Sequence, residues 1–138
     1  MNASRSSAEL VFELLGAYQR GDEEKLRSLI HPEAEVHGAP GLLNAGTYHG
    51  YDGFREWLGQ WEDAWEEISY EPGEIMELDE HLAVIPVHTV GIGRSGVQVD
   101  SIFGWLYEWR DGLTVRFHVY PDPDSALEAG RRIAAQRS

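Results

Sequence analysis

Apolar and polar residues alternate most regularly over residues 97–121, where V-Q-V-D-S-I-F-G-W-L-Y-E-W and L-T-V-R-F-H-V-Y predict two long strands. Successive side chains of a strand point to opposite faces of the sheet. Val97, Val99, Ser101, Phe103, Trp105, Tyr107 and Trp109 therefore share one face of the first strand. Val115, Phe117, Val119 and Pro121 share one face of the second. Arg110, Asp111 and Gly112 join them, and Asp-Gly is a strong hairpin signal. So much aromatic surface on one side demands a cover. The expectation is that this face lines a largely apolar pocket closed by earlier helices.

The preceding chain supplies such helices. Residues 6–20 read as an amphipathic helix, with Ser6 and Glu9 in a capping-box spacing and Leu10, Leu14 and Tyr18 on one stripe. Gly21 stops it, and Asp22 is placed to cap a second helix over 23–30. A short strand over 34–38 and a loop over 39–48 follow. Asp52 is then expected to cap a third helix, on which Phe54, Trp57, Leu58, Trp61 and Trp65 recur at helical spacing. Three tryptophans on one stripe are most simply core. The alternative makes Trp57 and Trp61 a wall of the pocket.

Residues 68–78 read as a strand broken at Pro72-Gly73. A further strand over 82–93 carries Leu82, Val84, Pro86, His88, Val90 and Ile92 on one side. Asp124 is expected to cap a short last helix ending in a solvent-exposed, arginine-bearing tail. The order, helices before a meander of strands, predicts an α+β domain. Its expected form is a cone, a curved antiparallel sheet with the N-terminal helices closing over the concave face.

Composition narrows the partners. The 138 residues suit one domain spanning 1–138, which would bury roughly two-thirds of its unfolded surface. There are 24 acidic and 11 basic residues, a net charge of -13, which repels phosphate backbones and anionic membranes. Nucleic acid and membrane are therefore not expected partners. No apolar run approaches the roughly 20 residues of a membrane span, and no signal-peptide pattern opens the chain. With no cysteine, disulfides and thiolate chemistry are excluded. A cytoplasmic location is expected.

Three segments then carry a family likeness. They are G-D at 21–22 with L-I-H-P-E-A-E-V over 29–36, Y-H-G-Y-D-G-F-R-E-W over 48–57, and W-R-D-G over 109–112 ahead of V-R-F at 115–117. In this order the chain resembles the nuclear transport factor 2-like superfamily, within it the SnoaL-like, ketosteroid-isomerase-like branch. The resemblance covers residues 10–129 and implies a cone-shaped α+β barrel, commonly a homodimer through the outer sheet face. Relatives include isomerases, dehydratases, polyketide cyclases, epoxide hydrolases and binding proteins, so fold leaves function open.

The resemblance also says which catalytic groups to look for. Steroid isomerases use a carboxylate base on the early strand and two acidic donors, a tyrosine and a protonated acid. Alignment puts these positions at Gly38, Leu14 and Trp105, and the acid of the epoxide-hydrolase pattern at Val119. None keeps its group. A one-residue slip in register would bring His37 or His118 inward instead.

Binding of a small apolar, aromatic or polycyclic molecule is then the leading expectation. Its contacts would come from Tyr18, Val36, Gly38 and Tyr48, from Trp57 and Trp61, and from Ser101, Phe103, Trp105, Tyr107, Phe117 and Val119. The competing expectation is an isomerase or cyclase using His88 with a tyrosine or serine, since a histidine titrates near neutrality. The ordinary reading of His88 is a hydrogen-bonded core or rim residue, and of Asp100 a surface acid. A third expectation is a dimeric interaction module. No cofactor is expected, and the six histidines lack metal-ligand spacing.

Overall fold

The computed structural model describes residues 7–38 and 46–137. Ser6, the first half of the expected capping box, lies outside them. Helix α1 (Ser7–Arg20) buries Leu10, Leu14 and Ala17, the stripe that the 3.6-residue period requires. Helix α2 (Glu23–Ser28) is capped by the Asp22 carboxylate, which accepts from the Lys25 backbone N–H at 3.1 Å. It stops short of Ile30, which already belongs to strand β1 (Ile30–Gly38). Strand β2 (Gly46–His49) follows, then helix α3 (Gly50–Ala64).

Helix α3 departs from expectation at both ends. It begins at Gly50 with His49 as its N-cap and no side-chain capping bond, so Asp52 sits in the first turn rather than capping it. There its charge still favours the positive helix end. Trp65 is extended (φ -114°, ψ 136°) and opens strand β3 (Trp65–Pro72) instead of closing the helical stripe. Strands β4 (Met76–Asp79), β5 (Leu82–Gly93), β6 (Gln98–Arg110) and β7 (Leu113–Tyr120) complete the sheet. Helix α4 (Pro123–Arg137) follows. Its cap is Asp122, whose carboxylate accepts from the Ser125 N–H at 2.7 Å, not Asp124.

The fold is α+β. A curved, unclosed seven-stranded sheet runs β2-β1-β7-β6-β5-β3, with β4 paired to β5 beside that path. One pair is not antiparallel as expected, because β1 runs parallel to β7 and brings His37 level with His118. The β6–β7 hairpin turns at Asp111 (φ 55°) and Gly112 (φ 78°), the left-handed pair that a tight two-residue turn requires.

Two cores form, one on each face. The inner one joins α1 and α3 to Phe103, Tyr107, Trp109, Phe117 and Val119, with Trp105 packed against it. The outer one seats α4, through Ala126, Leu127 and Ile133, on Leu82, Val84 and Leu106. The helices therefore do not all lie on one face. Close seating of α4 depends on Gly104, where an added Cβ would come within 2.7 Å of both the Ala126 Cβ and the Asp122 carbonyl oxygen. Because backbone cannot yield as a side chain can, Gly104→Ala is expected to destabilise the fold by about 1–3 kcal/mol, measured as a lower midpoint in urea unfolding.

Candidate functional site

The inner faces of β5, β6 and β7 and the apolar stripe of α3 enclose a hollow of about 60 Å³. Phe103, Trp105 and Tyr107 from β6 and Phe117 and Val119 from β7 form its floor. Phe54, Trp57, Leu58 and Trp61 from α3 form its roof, Tyr18 of α1 and Tyr70 of β3 stand beside it, and Gly38 and Thr89 complete the wall. The rings interlock edge to face. Trp105 lies 5.5 Å from Phe117 with the planes at 89°, and Trp57 lies 5.5 Å from Phe117 at 78°. Perpendicular contacts of this kind set a positive ring edge against a negative ring face.

Polar groups in the lining are few and mostly engaged. The Tyr18 hydroxyl donates to the Glu62 carboxylate at 3.1 Å, and the Trp61 indole N–H donates to the Tyr70 hydroxyl at 2.6 Å. The Thr89 hydroxyl donates to the Val87 carbonyl at 3.4 Å. Burial pushes the Tyr18, Tyr70 and Tyr107 hydroxyls well above the ordinary tyrosine range, and at Tyr18 the neighbouring Tyr70 and Glu62 add to it. These three phenols are neutral at pH 7.

The SnoaL-like domain model matches residues 11–117 of this chain. The chain belongs to the SnoaL-like family. No curated protein is detectably similar to it. Among solved structures it is similar to TerC co-crystallised with polyporic acid, at 20% identity and TM-score 0.73, over 91% of this chain and 97% of that one. It is similar to an NTF2-like protein from Burkholderia xenovorans LB400, at 20% identity and TM-score 0.77, over 93% and 99%. It also resembles a Mycobacterium tuberculosis protein in complex with estradiol-17β-hemisuccinate, at 12% identity and TM-score 0.69, over 87% and 97%. Identities this low carry the fold alone.

In this SnoaL-like chain nine of the expected contact residues line the hollow: Tyr18, Gly38, Trp57, Trp61, Phe103, Trp105, Tyr107, Phe117 and Val119. Three do not. Val36 is buried in the inner core behind the lining. Tyr48 turns its hydroxyl to the Gln60 side chain at 3.1 Å. Ser101 has the expected parity but is exposed.

His88 is not in the hollow either. It faces outward beside exposed Val90, Ile92 and Ile102, and its Nε2 lies 2.7 Å from the Asp100 carboxylate. The residue of β5 that does reach the hollow is its neighbour Thr89. Phe54, Leu58, Tyr70 and Thr89 were not anticipated as lining. The first two share the Trp57 and Trp61 stripe, and the last two follow from strand alternation once the inward side is known. The aligned isomerase positions Gly38 and Trp105 and the epoxide-hydrolase position Val119 border the hollow, while the isomerase position Leu14 is core.

No register slip brings another histidine inward. His37 and His118 stack with ring centroids 4.8 Å apart on the outer face, and Tyr120 stacks on His118 at 4.0 Å. His37 bonds Glu35 at 3.0 Å and Thr47 at 3.1 Å. Burial, then His37 and Arg116, pushes His118 from 6.5 down to about 4. The unfolded chain therefore binds a proton near pH 6 that the folded chain refuses, so this contribution is full above pH 6.5 and drains away towards pH 4. The melting temperature is expected to fall more steeply between pH 7 and pH 4.5 in the parent than in His118→Gln, followed by calorimetry across that range.

Proposed function

We infer that this chain binds a small, flat, neutral aromatic or polycyclic molecule between the tryptophan helix and the β6–β7 floor. The observation that carries the reading is the lining itself, aromatic from both sides, with no histidine, lysine, arginine or carboxylate among its described residues. Apolar walls with a few placed hydroxyls are what small-molecule sites are made of. Two structural neighbours were crystallised with polyporic acid and with estradiol-17β-hemisuccinate, which accords with the ring skeleton of such a ligand though not with its neutrality. An isomerase or cyclase reading has less support, because His88 lies across the sheet and the aligned acid positions hold Gly38, Trp105 and Val119.

Size adds a condition. A space of about 60 Å³ is well under the roughly 150 Å³ of an engineered cavity that admits benzene. A ligand must therefore part the rings. Trp105, only partly buried, and the half-buried Tyr18 and Tyr70 are the side chains with room to give. Binding should accordingly change tryptophan emission as well as stability. With neutral polycyclic compounds at about 100 times their Kd, stabilisation of about 2.7 kcal/mol is expected, read as a raised melting temperature together with altered fluorescence. A flat response in both signals across such a panel would refute the reading.

A specific feature favours pairing of two copies as well. Val90, Ile92 and Ile102 stand exposed together on the part of the outer face that α4 leaves bare. An isologous homodimer would cover that strip. Sedimentation is expected to give twice the monomer mass, and Ile102→Lys to return it to a monomer with unchanged far-UV dichroism. A parent protein that is monomeric at tens of micromolar rules the dimer out.

A further inference from the structure

Among the hydroxyls of the described lining, Tyr107 differs from the rest. Its ring is held rigidly, 4.8 Å from Phe117 and stacked on Trp109 at 5.6 Å with the planes 15° apart. Its side chain is 2% exposed and borders the hollow. Tyr18 and Thr89 have committed their protons to Glu62 and Val87, and the Tyr70 oxygen is occupied by the Trp61 N–H. The Tyr107 hydroxyl makes no hydrogen bond to any described residue. A buried tyrosine hydroxyl ordinarily finds a partner, and leaving one bare is costly.

We propose that Tyr107 is the donor that fixes the ligand, and that the ligand is a neutral ring compound presenting a carbonyl-type acceptor oxygen to the floor of the hollow. This rests on the binding reading above and narrows its ligand class. The phenol keeps its proton throughout the physiological range because burial, the cause of its raised pKa, disfavours the phenolate. It is therefore a donor to be matched by an acceptor. A hydrocarbon of the same shape would seal the hydroxyl in with nothing to bond. It would also displace any water that satisfied the hydroxyl beforehand.

A carboxylate fits less well than a ketone. It would be buried without a cation, since no lysine, arginine or histidine lines the hollow among the described residues. The Glu62 carboxylate already holds the Tyr18 proton, and the chain's net charge of -13 opposes a further anion. The acceptor the site selects is thus uncharged.

The test compares 9-fluorenone with fluorene, which share one flat skeleton and differ at the carbonyl. Titrations follow tryptophan emission in the parent protein and in Tyr107→Phe. The parent is expected to bind the ketone roughly 3- to 10-fold more tightly than the hydrocarbon, the factor one neutral hydrogen bond gives. Tyr107→Phe should bind the two equally and melt no lower than the parent, because the hydroxyl it removes supports nothing in the fold. As an independent reading on the parent alone, the infrared carbonyl band of bound fluorenone should move to lower frequency, as a hydrogen-bonded ketone does.

Equal binding of the two probes by the parent overturns the proposal while leaving the binding reading intact. A ketone preference that survives in Tyr107→Phe, or a carbonyl band that does not move, overturns it too. Failure of both probes to bind the parent overturns the binding reading and, with it, the proposal. A melting temperature several degrees lower in Tyr107→Phe would show a structural partner for the hydroxyl and so count against it.

Discussion

Strand β6 lies between β5 and β7, and its two faces impose the rest of the structure. One carries Phe103, Trp105, Tyr107 and Trp109, rings too large to leave in water. The other carries Gly104 and Leu106, small and smooth enough for a helix to lie against. A strand cannot move its side chains from face to face without slipping one residue, which would exchange both sets together. The rings fix which side α1 and α3 must cover, and Gly104 fixes where α4 must dock. Losing one of the buried tryptophans to alanine would cost roughly 3–5 kcal/mol, a large share of what a domain of this size has to spare.

The same packing that secures the fold restricts the site. Rings meeting edge to face on floor and roof leave only about 60 Å³ between them, so stability and capacity compete for one space. An enlarged hollow would lose contacts on every wall, whereas a filled one would hold no ligand. The compromise is visible in exposure. The roof tryptophans Trp57 and Trp61 are fully packed, while Trp105 on the floor and Tyr18 and Tyr70 at the side retain contact with solvent. The side chains best able to move are those nearest the outside.

Much of this was legible in the residues, and the failures have physical causes. Alternation on β6 and β7, the Asp111-Gly112 turn and the α3 stripe are local patterns, and local patterns survive into the structure. On β5 the parity was correct but its direction was not. The strand is apolar on both faces, Leu82 and Val84 beneath α4 and Ala83, Ile85 and Val87 towards the inner core. Nothing in the strand itself says which side His88 shares with the hollow. Trp65 fits a helical stripe at i+11 and equally well the first inward position of a strand, and pairing with Gly93 decides for the strand. The parallel β1–β7 pair joins segments some eighty residues apart and leaves no local trace. Ser101 was misplaced for a simpler reason. Alternation assigns a face but not the exposure of each residue on it.

What the site can do follows from what the lining has kept. The positions expected from the family resemblance to carry acids hold Gly38, Trp105 and Val119, three of the residues lining the hollow. Burial raises the phenols of Tyr18, Tyr70 and Tyr107, so they stay neutral and can donate or accept hydrogen bonds. His88 on Asp100 and His37 on Glu35 are set against the other face, with the sheet between them and the hollow. On the binding reading proposed above, the fixed hydrogen-bonding groups among the described lining residues would read the shape and oxygen pattern of a ring compound.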